Sequence, residues 1–218
     1  MVCHPPLCSE SPDTGSSIAG DLGFDEAKLT VTKARKNICT LSLNIRSLNK
    51  NWAGLQSLVA EIPFKIILLQ ETWCKTGEDR HQLNGFHNLI ESSRTGRGGG
   101  VGAFVHSTLA VEMAPDFSFF EEGTYESQAF KITSGKSSPV NLVNVYRPPT
   151  GDCQKSMDLL DKQLERLANS RTDAYLFGDL NIDWLTDNSQ RRRLSDMLQQ
   201  HGFRSCVLGP TRVGATLR

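Results

Sequence analysis

Four short apolar segments that each end in polar side chains constrain the fold of this chain most. They are residues 37–44 (NICTLSLN), 65–71 (KIILLQE), 140–146 (VNLVNVY) and 174–177 (AYLF), the last followed by the letters GDLN. Apolar or alternating runs of this length predict strands that are buried on at least one face. Open sheets bind ligands in the crevice beyond their strand ends, so we expect the polar ends to share one cleft. The polar ends are Asn44, Gln70 with Glu71, Tyr146, and Asp179 with Asn181.

The GDLN tetrapeptide at residues 178–181 places an acid and an amide two positions apart after the fourth strand. Alternate side chains of a strand share a face, so Asp179 and Asn181 point the same way if strand geometry continues past Gly178. The competing interpretation is an ordinary turn, because Gly, Asp and Asn are common turn residues and Asp also caps helices. Taken alone, the tetrapeptide does not decide between a site and a turn.

The spacing of apolar residues predicts three helices between the strands. They cover residues 52–62, 152–170 and 190–201, and Pro63 ends the first. Further short strands are predicted at residues 86–90, 100–106, 109–113 and 126–132, with antiparallel pairing in hairpins. This pattern is typical of an α/β sandwich, in which two β-sheets pack face to face with helices outside.

A glycine-rich stretch, RTGRGGGVG at residues 94–102, invites comparison with a phosphate-binding loop. It lacks the GK[ST] letters that such a loop needs, and it leads into a strand rather than a helix. We interpret it as the flexible lead-in of a hairpin.

Composition indicates one globular domain with no bulk preference for nucleic acid. Of the 218 residues, 38% are hydrophobic and 22% charged, and 24 Lys and Arg balance 24 Asp and Glu. A neutral chain has to contact DNA through local patches. Candidate cations, each of which is otherwise an ordinary solvated charge, are Lys33, Arg35, Lys36, Arg46, Lys50, Arg94 and Arg97.

The N-terminal segment and the cysteines indicate an intracellular protein. Residues 1–35 contain neither a signal peptide nor a long apolar run, so we expect a disordered lead-in, a domain over 36–218 and no membrane span. The six cysteines show no CxxC pair and no zinc-like spacing, which is typical of reduced thiols.

Six motifs, in order, resemble a known family. They are SLNIRSL around Asn44, QETW around Glu71, RGGGVGAFV, YRPP from Tyr146, GDLN, and the late Pro210-Thr211-Arg212. Together they resemble the endonuclease/exonuclease/phosphatase superfamily with its DNase-I-like fold. More narrowly, they resemble the apurinic-type endonuclease domain of non-LTR (LINE-like) retrotransposons. The resemblance covers about residues 36–218 and implies a four-layer α/β/β/α fold.

The resemblance implies Mg²⁺-dependent nicking of DNA, with Mn²⁺ as a substitute ion. Glu71 suits a metal ligand because Mg²⁺ is a hard ion that one or two carboxylates typically hold, and Asn44 would help to position that shell. Asn44 also belongs to the implied catalytic set. In that set Asp179 would align or deprotonate the attacking water, while Asn181 and Tyr146 would hydrogen-bond the scissile phosphate. Expected substrate contacts are Arg94, Arg97, Arg147 and Thr211.

The same resemblance implies DNA as the partner, a nuclear location and a reverse transcriptase domain elsewhere in the parent protein. The family pattern continues past Pro210 to a further Asp and to a closing Ser-Asp-His segment that supplies the general base, whereas this sequence ends at Arg218. None of the five histidines replaces that group by motif. We therefore expect the last strands of the fold to be missing.

Two alternatives to an active endonuclease stay open at this stage. The first is a catalytically inactive remnant of the same domain that at most binds DNA or protein. The second is a hydrolase of the same superfamily with another substrate, such as a phosphoinositide, a lipid or poly(A).

Overall fold

The structure of the protein is a computed structural model that describes most of the chain. Residues 38–75, 81–96 and 98–206 are described in full, and two further strands by their backbone. Within these residues the strands are β1 (Val2–Cys3), β2 (Lys28–Ala34), β3 (Ile38–Asn44), β4 (Ile66–Gln70), β5 (Ile90–Ser92), β6 (Val101–Val105), β7 (Ala110–Met113), β8 (Phe120–Glu121), β9 (Tyr125–Thr133), β10 (Val140–Tyr146), β11 (Ala174–Asp179) and β12 (Arg204–Ser205). The helices are α1 (Leu48–Glu61), α2 (Cys153–Asn169) and α3 (Ser189–Gln200), and a 3₁₀ turn covers Pro115–Phe117.

Two mixed sheets form the centre of the molecule. The first runs β12–β1–β11–β10–β9–β7, with β8 also paired to β9, and the second runs β2–β3–β4–β6–β5. The pairs β10–β11 and β3–β4 are parallel, since a crossover helix connects the two strands of each pair. The pairs β5–β6 and β7–β9, in the middle of the chain, are antiparallel, as predicted.

Three hydrophobic clusters separate four layers. The first lies between α1 and the second sheet, the next between the first sheet and α2 with α3, and the last between the two sheets. Representative members, in that order, are Leu55 with Ile67, Leu164 with Val143, and Leu68 with Phe130. Burying one such side chain contributes about 1.5–3 kcal/mol, so the clusters hold the layers together. The predicted α/β sandwich of two sheets flanked by helices is confirmed.

The layer between the sheets changes from apolar to polar along the strands. In β10, Leu142 lies in the apolar cluster between the sheets, while the alternate Val143 packs toward α2. Two and four residues after Leu142 the same face carries Asn144 and Tyr146. Polar residues that are buried at this end of the layer are Ser42, Asn44, Gln70, Glu126, Gln128, Asn144, Tyr146 and Asp179.

Two predicted boundaries differ in the structure. Helix α1 begins at Leu48, four residues before the apolar spacing indicates, because the Ser47 hydroxyl caps it by accepting from the Lys50 N–H at 3.3 Å. The strand predicted at residues 86–90 is wrong, since Phe86 forms only an isolated bridge and the strand is Ile90–Ser92. The residues between them follow a glycine turn at Gly85 and include Asn, which is depleted in strands.

Part of the expected N-terminal lead-in has regular backbone. Strand β1 lies between β11 and β12, and β2 pairs with β3 over its whole length. The sequence of β2, KLTVTKA, is rich in the β-branched residues that favour strands. The domain boundary at residue 36 stays a prediction. In the part of the chain that the structure describes, no helix is both long and apolar enough to cross a bilayer.

Candidate active site

Asn44 joins two carboxylates at the polar end of the layer between the sheets. Its Nδ2 donates to Glu71 Oε1 at 2.7 Å and to Asp179 Oδ2 at 3.0 Å. Asn44 ends β3 in one sheet and Asp179 ends β11 in the other, so a single amide bridges the two sheets. A hydrogen bond to an ionised group contributes about 1.5–3 kcal/mol. This bridge therefore holds both acids within reach of one ligand.

Glu71 leaves β4 in a left-handed backbone conformation with φ 54°. Such a conformation is uncommon for a residue with a Cβ and persists only where the surroundings enforce it. The chain that follows β3 provides that support, because the Ile45 N–H donates to the Gln70 carbonyl and the Ser47 N–H to the Glu71 carbonyl, each at 2.9 Å. The strained turn brings the Glu71 side chain to Asn44.

Tyr146 lies between two acids in the first sheet. Its neighbours in the strand register are Asp179 on β11 and Glu126 on β9, and its hydroxyl hydrogen-bonds to Glu71. Burial first, and then the charge of Glu71 and this hydrogen bond, raise the pKa of Tyr146 well above its ordinary value. The phenol therefore stays protonated well into the alkaline range and is able to donate a hydrogen bond.

The GDLN segment forms a turn at the end of β11. The strand stops at Asp179, and Asn181 has φ 49°, so strand alternation does not extend to Asn181. Asp179 Oδ1 accepts from the Asn181 N–H at 3.0 Å, as in an Asx turn. The Asn181 Nδ2 donates to the Arg147 carbonyl at 2.8 Å. The segment is thus a turn by its backbone, while Asp179 reaches the cleft.

Arg147 stabilises this turn. It is only 3% exposed, and its Nε and Nη2 donate to the carbonyls of Leu180 and Asn181 at 2.6 and 2.9 Å. Its own N–H donates to the Asp179 carbonyl at 2.9 Å. These contacts give Arg147 a positioning role next to Asp179, and the substrate contact expected of it stays a prediction.

The oxygen atoms at this end of the layer suit a hard cation. The Asn44 Oδ1 is buried and has no hydrogen-bond partner among the described residues, and a buried oxygen is normally bound to something. Together with Glu71 and Asp179 it forms the kind of carboxylate and amide set that Mg²⁺ takes with water and phosphate. In the described part of the chain, no group of three or more His, Cys, Asp or Glu side chains is placed to hold a metal ion.

Two buried polar residues beside the cleft were not predicted from the sequence. Glu126 on β9 is fully buried and accepts from the Gly100 N–H at 2.7 Å. Asn144 on β10 donates to two carbonyls of the second sheet at 2.9 and 3.0 Å and accepts from Gln70 at 2.6 Å. The available signal was polar residues at alternate positions of otherwise apolar strands.

Of the cations expected to contact substrate, Arg94 lies beside the cleft. Its guanidinium carbon is 5.9 Å from the centre of the Tyr146 ring, and it forms an ion pair with Glu126. The structure therefore brings together Asn44, Glu71, Tyr146, Asp179 and Arg94, and their roles stay predictions. Expected residues whose side chains lie outside the described part are Lys33, Arg35, Lys36, Arg97 and Thr211.

Comparison with known proteins agrees with this fold. The sequence model of the Endonuclease/Exonuclease/phosphatase family matches residues 41–216, whereas no curated protein sequence matches significantly. The fold is similar to the Xenopus laevis APE2 catalytic domain, with a TM-score of 0.51 and 21% identity over 71% of this chain and 66% of that one. It is also similar to the AP endonuclease LMAP from Leishmania major, with a TM-score of 0.55 and 16% identity over 74% and 66% of the two chains. A third similar structure is the mannosyl-6-phosphatase Bt3783 from Bacteroides thetaiotaomicron, with a TM-score of 0.56 and 15% identity over 73% and 70%.

These structures show a shared fold, not a shared substrate, because their identities are low. The chain spans slightly less than two thirds of the length of the Xenopus and Leishmania proteins. The family match begins at residue 41, within β3, includes the four strand ends that form the cleft and extends over most of the sequence. The chain therefore belongs to the Endonuclease/Exonuclease/phosphatase family.

Proposed function

We propose that this chain is a Mg²⁺-dependent endonuclease domain that nicks DNA, of the type found in non-LTR retrotransposon proteins. The observation that carries the proposal is the Asn44 amide, which holds Glu71 and Asp179 together beside Tyr146. Hydrolysis of a phosphodiester requires charge neutralisation, an oriented water and donors to the phosphate oxygens. The cleft contains a group suited to each task.

Glu71 and the Oδ1 of Asn44 are the groups that would hold the cation. When bound, Mg²⁺ supplies positive charge that offsets the charge developing on the phosphate and leaving oxygens. Mn²⁺ accepts the same oxygen ligands and is the expected substitute.

The other side chains act on the water and the phosphate. Asp179 accepts a proton from the attacking water, and the Asn44 amide and the Asn181 N–H keep its carboxylate in place. When a phosphate is bound, the Tyr146 hydroxyl donates to its oxygen in place of Glu71, since a phenol has a single O–H. Asn181, which the Arg147 carbonyl holds at the turn, donates to the same phosphate.

Fold alone does not choose the substrate, since one similar structure is named an AP endonuclease and another a mannosyl-6-phosphatase. The order of the motifs from SLNIRSL to GDLN favours DNA and a parent protein that also carries a reverse transcriptase. Trp73 adds support, because it is 43% exposed and lies two residues after Glu71. An exposed aromatic ring at such a position offers a stacking surface for a nucleobase.

Nicking of supercoiled plasmid by the 218-residue chain tests the proposal. Any nicking should require Mg²⁺, be abolished by a chelator and fall by about 10²–10⁴-fold in Asp179→Ala, because a positioned proton acceptor is lost. The matched control is Asp196→Ala on the exposed side of α3, which we expect to nick like the wild type.

The same samples, incubated with mannose 6-phosphate, separate the alternatives. Phosphate release without plasmid nicking would assign the chain to the phosphatases of the family. Neither activity, from a folded chain, would favour the inactive form of the domain. Nicking that survives both the chelator and Asp179→Ala would contradict the mechanism.

Metal affinity tests the assignment of Glu71. We expect Glu71→Gln to weaken Mg²⁺ or Mn²⁺ binding by at least about tenfold, and more than Asp179→Asn does, because Glu71 is the direct ligand. Calorimetric titration measures both, with the exposed Glu165→Gln as the matched control. Equal affinities in all chains would remove Glu71 from the metal shell.

A further inference from the structure

Glu126 is a buried acid that does not belong to the four predicted strand ends. Its Oε2 accepts from the Gly100 N–H at 2.7 Å, and its Oε1 accepts from the Gly123 N–H at 3.2 Å and from the Nε of Arg94. A fully buried carboxylate requires such partners, because leaving it unpaired away from water is costly. Glu126 therefore ties the glycine-rich segment and Arg94 to the first sheet.

Arg94 is held through one edge of its guanidinium. Its Nε is bound to Glu126, whereas its Nη2 is buried and has no hydrogen-bond partner among the described residues. The side chain is 13% exposed, so the group lies directly below the surface. Buried donors are normally paired, and this one lacks an acceptor within the described chain.

Gly99 provides the space that Arg94 occupies. A Cβ at residue 99 would lie 2.0 Å from the Nε and 2.1 Å from the Cζ of Arg94. Any larger residue at this position would push the guanidinium away from Glu126. The glycine-rich segment thus leaves room for the Arg94 guanidinium beside Gly99, which we call the socket of Arg94. The sequence did not predict this role.

The socket opens beside the candidate active site. The Arg94 guanidinium lies 5.9 Å from the ring centre of Tyr146, which contacts Glu71. Carboxylates converge here, and by themselves they repel a phosphate. The neighbouring Arg147 uses its Nε and Nη2 for the carbonyls of the turn. Among the arginines of the described cleft, Arg94 is therefore the one with a buried N–H donor that has no carbonyl or carboxylate as its acceptor.

We propose that Arg94 binds a phosphate of the substrate backbone and that Glu126 is its positioning residue. The inference rests on the proposed function, because it places a phosphodiester in the same cleft. A phosphate that enters the cleft beside Tyr146 accepts from the guanidinium, whose planar donors match its non-bridging oxygens. Glu126 stays bound to the Nε and so fixes the orientation of the guanidinium. A contact of this kind adds affinity without reading the base sequence.

Binding of a short fluorescein-labelled DNA duplex to the full chain, measured by anisotropy in chelator over a series of salt concentrations, tests the proposal. We expect Arg94→Gln to raise Kd about tenfold and to reduce the salt slope by about one, as for one lost phosphate contact. Arg94→Lys keeps the charge, so it should retain the slope while losing part of the affinity. In nicking assays KM should rise more than kcat falls.

The positioning role of Glu126 is tested by coupling. Glu126→Gln should weaken DNA binding, and adding it to Arg94→Gln should weaken binding no further, because both changes remove the same contact. Gly99→Ala should mimic Arg94→Gln by displacing the guanidinium. Its matched control is Gly135→Ala, which has a similar positive φ, 56° against 63°, but no atom within 4 Å of the added Cβ. The control should bind DNA like the wild type.

Each outcome decides for or against the inference. Wild-type affinity and salt slope in Arg94→Gln would overturn it, even if the variant melts at a lower temperature, and so would a wild-type chain without DNA affinity. If the wild type nicks DNA and Arg94→Gln binds normally, the inference fails while the proposed function stands. If the wild type binds DNA without nicking it and Arg94→Gln weakens that binding, the hydrolytic function fails while the inference stands. Should Glu126→Gln not fold, the comparison of Gly99→Ala with Gly135→Ala still decides.

Discussion

At the scale of single residues, Asn44 explains why two acids can lie together at the end of a buried layer. Two nearby carboxylates repel each other, and a buried carboxylate is costly unless hydrogen-bond donors replace its lost water. The Asn44 amide donates to both and so offsets part of that repulsion. Its Oδ1 is buried and has no hydrogen-bond partner among the described residues. An aspartate of the same size would add a negative charge and remove both donors.

Tyr146 should make the stability of the protein depend on pH in the alkaline range. Burial and the Glu71 charge raise its folded pKa above the ordinary 10.0. The stabilisation that the protonated Tyr146 hydroxyl contributes is therefore fully present below pH 10. It is lost as the pH rises through the folded pKa, because between the two pKa values only the unfolded chain releases the proton. In chelator, we expect the free energy of unfolding to fall with pH more steeply in the wild type than in Tyr146→Phe, by up to about 1.4 kcal/mol per pH unit.

Urea unfolding at pH 8, 10 and about 11 measures this difference. Lysines and other shared groups cancel in the comparison of the two chains. If the free energy of unfolding fell equally with pH in the wild type and in Tyr146→Phe, the surroundings of Tyr146 would not be raising the pKa of its hydroxyl.

At the scale of elements, the contact between β10 and β11 positions the turn at residues 178–181. Gly178 pairs with Val145 in the parallel register, one residue before Tyr146 pairs with Asp179. Gly178 has φ 138°, and a Cβ there would lie 1.8 Å from the Val145 carbonyl oxygen. A backbone atom cannot move aside as a side chain can. Glycine at this position is therefore a condition for the two strands to approach each other and deliver Asp179.

Gly178→Ala should consequently destabilise the protein by at least about 3 kcal/mol, since it combines backbone strain with a clash inside a ladder. Gly135→Ala, with a positive φ but open space, should cost only about 1 kcal/mol. Urea unfolding of the two variants measures both values. Similar losses in the two would mean that the β10–β11 contact tolerates a methyl group.

At the scale of the whole molecule, the apolar cluster between the two sheets lies between the helical layer of α1 and the helical layer of α2 and α3. Trp52 packs on the α1 side and Trp184 on the side of α2 and α3. Asn144 and Asn44 add hydrogen bonds from one sheet to the other. Separating the sheets would expose the apolar cluster and leave these polar groups without partners, so we expect the layers to unfold together.

Single-tryptophan chains test this coupling. The Trp73→Phe/Trp184→Phe chain reports on Trp52, and the Trp52→Phe/Trp73→Phe chain reports on Trp184, because the protein has three tryptophans. Within each chain we expect the fluorescence transition to coincide with the circular dichroism transition in urea. A fluorescence change that precedes the loss of secondary structure in either chain would show that one layer separates first.

Local patterns in the sequence specify the individual elements and the composition of the cleft. Apolar runs and their alternation predicted β3, β4, β10 and β11, since a period of two is a property of each strand alone. Their polar last residues predicted that Asn44, Glu71, Tyr146 and Asp179 would lie together. The motifs, each of which is a short local pattern, together indicated the family.

The contacts among these residues, by contrast, depend on how distant parts of the chain pack together. Asn44 and Asp179 are 135 positions apart, and no local pattern states that one amide serves both carboxylates. Three other features likewise depend on strands and loops that are far apart in the chain. Glu126 is buried, Arg94 forms an ion pair with it, and Arg147 hydrogen-bonds the carbonyls of the turn at residues 178–181. The alternation within a strand predicts which of its residues share a face. It does not predict which faces of distant elements pack together. That packing is the one that leaves the least apolar surface exposed and the fewest polar groups unpaired over the entire molecule.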